Sequence, residues 1–265
     1  MAGLVRTRAA KRTKGEPYAS IPLRLLATPT LRRLNDEALA TFLLLNANWV
    51  PGSIRSEPGK AILPQRTAAK YGRCRTRGAT DAFKELAACG MIVLHRLPVL
   101  PGAMGGAKPR AAEWRIPSRE VGSRLPTLGH NQRSPEGSLR IHNQRLRQVV
   151  RELAGTPLRL MMQVLTLHDR TGHDGKLVSE APFPLATSFA EELLNRDRDP
   201  GTQFLSRACA GRAVQRLFET KALILAAPGT GRRCATVTFG DAFRRREKHL
   251  LESQKAVCPS ETLQP

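Results

Sequence analysis

Apolar residues recur at three- and four-residue spacing in the middle of the first half of the chain. Ala82, Phe83 and Leu86 fall on one face of a helix that is predicted to begin near Thr76. A Cys-Gly pair, typical of a helix end, closes this segment, and the apolar residues 91–94 then predict a short strand. The pattern therefore predicts an amphipathic helix followed directly by a strand.

A second, shorter helix is predicted immediately before the first. Residues 65–71 tolerate a helix, Gly72 interrupts it, and residues 73–75 form a short charged turn. Helix, tight turn, helix and strand is the order of elements in a helix-turn-helix with a wing strand behind it. The second helix of such a motif normally enters the major groove of DNA.

The exposed side of that helix and its approach carry side chains that typically contact phosphates and base edges. The competing interpretation is a solvated helix face beside an ordinary core. The predicted DNA-binding residues of this motif are Arg73, Arg75, Thr76, Arg77, Thr80 and Lys84.

The segments on either side extend this unit. Thr28 followed by Pro29 predicts the start of a short helix, and Asn35 is predicted to cap a core helix that runs to Trp49. The strand after the motif and a second strand at residues 113–116 flank a loop rich in Pro and Gly. Lys108 and Arg110 give this loop a basic end, so the pair of strands predicts a wing with a cationic tip.

The second half of the chain repeats the pattern of the first, which indicates two copies of one unit. AFKELAACGMIVL aligns with AVQRLFETKALIL, so that Leu86 corresponds to Leu217. The loop between the two helices of this copy is much longer than a helix-turn-helix turn. Helices are predicted at residues 146–153, 156–167 and 185–194, and Ser206 is predicted to cap a further helix that runs to about Lys221. Strands are predicted at 177–178, 223–227 and 234–239. The predicted DNA-binding residues here are Arg207, Arg212, Arg216, Arg232 and Arg233.

The charge of the chain favours the nucleic-acid interpretation. The formal net charge is +21 and the sequence pI is about 11.1, which implies a polyanionic partner. No stretch approaches the apolar length of a membrane-spanning helix, and the basic N-terminal segment lacks an apolar core of signal-peptide length. We therefore expect a cytoplasmic protein that does not act at a membrane.

Composition along the chain predicts two domains and a linker. The fold class is mainly α with small β-wings (α+β): two winged helix-turn-helix domains. The second domain is predicted to end in a basic helix capped by Asp241. The predicted segments are a flexible basic arm (1–15), domain one (16–117), a Pro-, Gly- and Ser-rich linker (118–138), domain two (139–252) and a disordered tail (253–265).

Residue clusters that could support catalysis are few. The five cysteines contain no C-x-x-C pair, which argues against a zinc ribbon and a disulfide framework. The segment HDRTGHD at residues 168–174 is the only dense cluster of potential metal ligands, and its Asp-Gly pair favours a turn. The sequence therefore predicts no catalytic residues, no metal, no cofactor and no enzyme.

Residues 18–117 resemble the winged-helix domains of bacterial, plasmid and phage DNA-binding proteins. The resemblance is carried by the predicted Asn35–Trp49 helix, the segments LPQRTAAKYG and TRGATDAFKELAACGMI, and the Trp114 strand. Two such units on one chain are similar to the replication initiators of plasmids and phages, which bind repeated origin sites. The resemblance implies binding to double-stranded DNA as a monomer or dimer, with host replication proteins as further candidate partners.

Three other functions remain open at this point. A winged-helix transcriptional regulator is the main alternative, although it usually carries a dimerisation or ligand domain, and neither is evident. An RNA-binding protein and a metal-dependent nuclease are the others. A preference for single-stranded RNA would identify the former, and metal-dependent strand cleavage the latter.

Overall fold

The computed structural model describes residues 18–50, 59–99, 110–119, 138–168, 182–196, 204–230 and 234–240. They form a mixed α+β fold, which confirms the predicted fold class at that level. None of the helices in these ranges is long and apolar enough to cross a membrane.

In its described residues the first half, 18–119, contains five helices and a four-stranded antiparallel sheet. The strands of this sheet lie in the order β2 (Trp49–Val50), β3 (Lys60–Ile62), β5 (Glu113–Arg115) and β4 (Val93–Arg96). A short 3-10 turn, Pro117–Arg119, ends this half. Its elements are β1 (Tyr18–Pro22), α1 (Leu23–Leu26), α2 (Pro29–Arg33), α3 (Asp36–Ala47), β2 (Trp49–Val50), β3 (Lys60–Ile62), α4 (Gln65–Gly72), α5 (Thr76–Ala88), β4 (Val93–Arg96) and β5 (Glu113–Arg115).

The second half, residues 138–240, follows a similar order of strand, helices, strand, two helices and hairpin. The strands of its antiparallel sheet lie in the order β7 (Phe183–Pro184), β9 (Thr236–Phe239) and β8 (Leu223–Ala227). The elements are β6 (Ser138–His142), α6 (Asn143–Leu153), α7 (Thr156–His168), β7 (Phe183–Pro184), α8 (Thr187–Asn195), α9 (Arg207–Glu219), β8 (Leu223–Ala227) and β9 (Thr236–Phe239).

Strands β1 and β6 join the two halves with an approximate two-fold symmetry. Each strand leads directly into a helix, and the two pair antiparallel with Ser20 opposite Arg140, the middle residue of each. The helix contacts follow the same symmetry, since α1 packs against α7 while α6, in the corresponding place, packs against α3. Reciprocal contacts of this kind define an isologous interface between two similar units.

Two central helices connect the halves through the core. Every residue from 38 to 47 in α3 is buried, as is every residue from 158 to 166 in α7, and α3 and α7 are in contact. A helix buried on all sides needs neighbours around its whole circumference, and here each half supplies some of them. The buried apolar residues accordingly form one cluster that spans both halves. The division into residues 16–117 and 139–252 stays a prediction.

Several local predictions differ from the structure. The helix predicted to reach Trp49 ends at Ala47, because Trp49 pairs in β2 with Ala61. The strand expected at residues 91–94 begins at Val93, while Met91 is buried in the preceding turn. Ser138, the last residue of the predicted linker, is the first residue of β6.

Helices of the second half also have shifted bounds. Helix α6 begins three residues before the predicted start at residue 146, and α8 spans Thr187–Asn195 instead of residues 185–194. The strand at residues 177–178, the C-terminal basic helix, the N-terminal arm and the tail lie outside the described residues.

Candidate nucleic-acid interface

Helices α4 and α5 are joined by a tight turn in which Arg73 adopts a left-handed conformation with φ 53°. The backbone N–H of Cys74 donates to the carbonyl of Ala69 at 3.1 Å, which closes the end of α4. Arg75 then precedes α5 in an extended conformation without providing a side-chain cap. The N-terminal N–H groups of α5 are therefore not occupied by a capping side chain, which suits an anionic ligand.

The buried face of α5 fixes the helix against the core and the sheet. Ala79, Ala82 and Leu86 are completely buried, and the ring of Phe83 stacks on Trp114 of β5 with centroids 5.1 Å apart. Since these apolar positions lie on one side, the opposite side of α5 faces solvent, as the periodicity predicts.

The predicted DNA-binding residues of the first motif lie on or next to that exposed side. Arg73, Arg75 and Arg77 are exposed, and no acidic side chain of the described residues pairs with any of them. Of the other three residues, Thr76 is exposed, and Thr80 and Lys84 have local partners. The hydroxyl of Thr80 donates to the carbonyl of Thr76 at 3.0 Å, and the ammonium of Lys84 lies 3.3 Å from Asp81.

Helix α4 adds two cations that the sequence analysis did not single out. Arg66 and Lys70 are exposed and four residues apart, so they lie on the same side of α4. Their four-residue spacing in the sequence could have indicated a shared basic face. In a short helix, however, two solvent-exposed cations with no function have the same spacing. The structure places them on the helix that precedes α5 in the motif.

Strands β4 and β5 form the predicted hairpin behind α5. Val99 and Arg110 continue it through a reciprocal pair of backbone hydrogen bonds of 2.8 and 2.9 Å, and Arg110 is exposed. Lys108, with the rest of the tip, lies outside the described residues. At the base of the hairpin the buried carboxylate of Glu113 lies 3.4 Å from Lys60, which links β5 to the neighbouring strand β3.

Helix α9 occupies the place of α5 in the second half. Ser206 caps it as predicted, accepting a hydrogen bond from the N–H of Cys209 at 3.4 Å. The long connection from α8 is held at its ends by Asn195, whose side chain accepts from the N–H of Leu205 at 2.8 Å and donates to its carbonyl at 2.9 Å. Asn195 at the end of α8 therefore holds Leu205, which lies two residues before α9, in place despite the longer loop.

The cations of α9 differ in their surroundings. Arg207 and Arg212 are exposed, and no acidic side chain of the described residues pairs with them. Arg216 is instead partly buried, donating to the carbonyl of Glu152 at 3.3 Å and pairing with Glu219 at 3.1 Å. Arg232 and Arg233 lie outside the described residues.

The turn that leads from α5 into its hairpin has the same geometry as the turn that leads from α9 into its own. Gly90 after α5 and Lys221 after α9 have positive φ angles of 68° and 55°. The next N–H, of Met91 or Ala222, donates to Leu86 or Leu217 respectively, at 2.9 Å in both cases. The described elements therefore follow the alignment of Leu86 with Leu217, and α5 and α9 stand in the same local relation to their hairpins.

No other type of site is evident in the described residues. They contain no group of three or more His, Cys, Asp or Glu side chains that could hold a metal ion. Of the HDRTGHD segment, residues 169–174 fall outside them. Burial, followed by the negative charge of Glu37, raises the pKa of the Cys74 thiol, which opposes a role as a reactive thiolate.

Comparison of this chain with protein-family models, curated protein sequences and solved structures gave no match.

Proposed function

We propose that this chain is a sequence-specific double-stranded DNA-binding protein composed of two winged-helix units. One observation above others supports this function: α5 and α9 stand in the same local relation to an antiparallel hairpin, and both expose arginines with which no acidic side chain of the described residues pairs. A chain with a net charge of +21 must have this charge neutralised by counterions or by a polyanion, and duplex DNA suits a helix of this kind.

The approximate two-fold relation of the halves suggests the form of the DNA site. Helices related by a two-fold axis meet half-sites of opposite orientation. The half-sites need not have the same sequence, because aligned positions on the two helices differ. Asp81 of α5 corresponds to Arg212 of α9, so the charge at this exposed position is reversed. One chain would therefore read an imperfect inverted repeat.

Within this class we propose replication initiation at a plasmid or phage origin, with host replication proteins as partners and the cytoplasm as location. The resemblance of the sequence to tandem winged-helix initiators supports this role. A footprint on the DNA flanking its own gene tests it. Several copies of the composite site in one orientation support an initiator, whereas one copy over a promoter supports a transcriptional regulator.

A salt titration tests the DNA-binding proposal itself. With a labelled duplex selected by the chain, contacts to six to ten phosphates predict a log–log slope of roughly −5 to −9 for affinity against salt concentration. Replacing Arg66 of α4 with alanine should reduce the magnitude of that slope by about one.

Arg151→Ala provides the matched control, because Arg151 is also an exposed helical arginine but lies on α6. It should leave the slope nearly unchanged. An affinity that hardly responds to salt would refute binding through phosphate contacts, and equal effects of both substitutions would refute the assigned face.

A further inference from the structure

One buried arginine reaches from the second half to the segment that supports α5. Arg159 lies on α7 and is 7% exposed. Its Nε donates to the carboxylate of Asp36 at 2.8 Å, and its Nη1 donates to the carbonyl of Arg32 at 2.6 Å. Its Nη2 donates to the carbonyl of Leu34. All three acceptors lie at the turn between α2 and α3, in the first half.

The same turn is bonded directly to α5. The backbone N–H of Asn35 donates to Glu85 Oε1 at 2.8 Å, and the Asn35 side chain donates to the other carboxylate oxygen. The amide oxygen of the Asn35 side chain caps α3 by accepting from the N–H of Ala38 at 2.7 Å. Arg159 bonds to both chain neighbours of Asn35, and Asn35 bonds to Glu85, so that a continuous path runs from α7 to α5 through the backbone of residues 34–36. We call this path the α7–α5 network.

A related contact exists in the second half at the corresponding position. Arg216, which aligns with Glu85, donates from α9 to the carbonyl of Glu152 near the turn before α7. Each proposed DNA-reading helix is therefore bonded to the turn that precedes the central helix of its own half. In the first half, Arg159 connects the turn between α2 and α3 to α7 of the second half.

We propose that the α7–α5 network fixes the separation of α5 from the second half and thereby selects the spacing between the two DNA half-sites. This inference rests on the proposed DNA-binding function. The residues of the α7–α5 network are positioning residues, because none of them lies among the exposed arginines proposed to contact DNA. One inserted base pair moves a half-site by about 3.4 Å along the duplex and about one tenth of a turn around it, so a fixed separation excludes wrong spacings.

The experiment uses the full chain and a duplex that the wild-type chain selects from a random-sequence pool. A footprint locates the two half-sites, and derivatives with one or two base pairs inserted or deleted between them give a spacing profile. For the wild type, loss of one set of base contacts predicts a decrease in affinity of roughly 5- to 150-fold at the wrong spacing.

Two variants test the network at its two ends. Arg159→Met keeps the apolar stem but removes the donors, and Glu85→Gln, at a partly exposed position, removes the carboxylate that accepts both bonds from Asn35. Both should flatten the spacing profile at least threefold while affinity for the single half-site read by α9 stays unchanged. Circular dichroism checks that each variant is folded, and Glu85→Gln maintains the test if Arg159→Met is not.

Arg147→Met is the matched control. Arg147 also crosses between the halves, donating to Asn48 Oδ1 at 2.6 Å, but it does so at the other end of α3 and reaches no residue of α5. Its spacing profile should match that of the wild type. An unaltered profile in Glu85→Gln, or equal flattening in Arg147→Met, would overturn the inference. Failure of the wild type to select any duplex would instead overturn the proposed function.

Discussion

Leu217→Ala should destabilise the first half of the chain as much as the second, although Leu217 belongs to the second. Its side chain is 0% exposed, so truncation removes apolar contacts and leaves a cavity, at a cost of about 2–5 kcal/mol. Because buried residues of both halves form one cluster, that cost should be borne by a single cooperative unit. At roughly 3 kcal/mol per molar urea, the midpoint should decrease by about 1 M.

The positions of the tryptophans make this measurement specific. The chain contains two, Trp49 and Trp114, and both lie in the first half. Their fluorescence therefore reports the first half alone, whereas far-ultraviolet circular dichroism reports the helices of both. In Leu217→Ala the two signals should show the same decreased midpoint. Leu225→Ala, at a 51% exposed position of β8, should change the free energy of unfolding by less than about 0.5 kcal/mol.

A fluorescence midpoint that stays at its wild-type value, while circular dichroism shows a separate earlier transition, would refute the reasoning. It would mean that the halves unfold independently and that their contact contributes little to stability.

Two further predictions concern the candidate interface. Arg77→Ala should reduce the difference in binding free energy between selected and random duplexes by about 1–3 kcal/mol. Arg110→Ala should instead weaken binding to both duplexes alike and reduce the magnitude of the salt slope by about one. Equal losses of affinity for both duplexes in Arg77→Ala would contradict base reading. Glu37→Gln should lower the pKa of Cys74 and accelerate its alkylation at pH 8, since the negative charge of Glu37 raises this pKa. The alkylation rate of the exposed Cys89 in the same sample is the control. An unchanged rate at Cys74 would contradict the effect assigned to Glu37.

Features that depend on neighbouring residues could be predicted from the sequence. Thr28, Asn35 and Ser206 cap helices through bonds to an N–H three residues away, so the signal lies within a few positions. The buried face of α5 followed from its spacing for the same reason. The candidate cations of α5 were likewise identifiable, because the positions opposite a periodic apolar face are exposed.

Features that depend on distant contacts could not be predicted. The pairing of β1 with β6 joins strands far apart in the chain, and neither is long enough to give a distinctive pattern. Arg159 interrupts an apolar helix in the way that a surface residue would, and only the acceptors at the α2–α3 turn explain its burial. Arg216 was predicted to contact DNA from its charge alone, while its actual partners depend on the packing of α9 against the end of α6.

The joining of two similar halves within one chain has a consequence for how the protein responds to dilution. Two separate subunits with this interface would dissociate as their concentration falls, whereas a covalent link keeps the halves at a high effective concentration. Occupancy of a composite site would then depend on the first power of the protein concentration and not on its square. A single substitution would also change the surface of only one of the two helices α5 and α9, as Glu85 and Arg216 already illustrate with opposite charges at one aligned position.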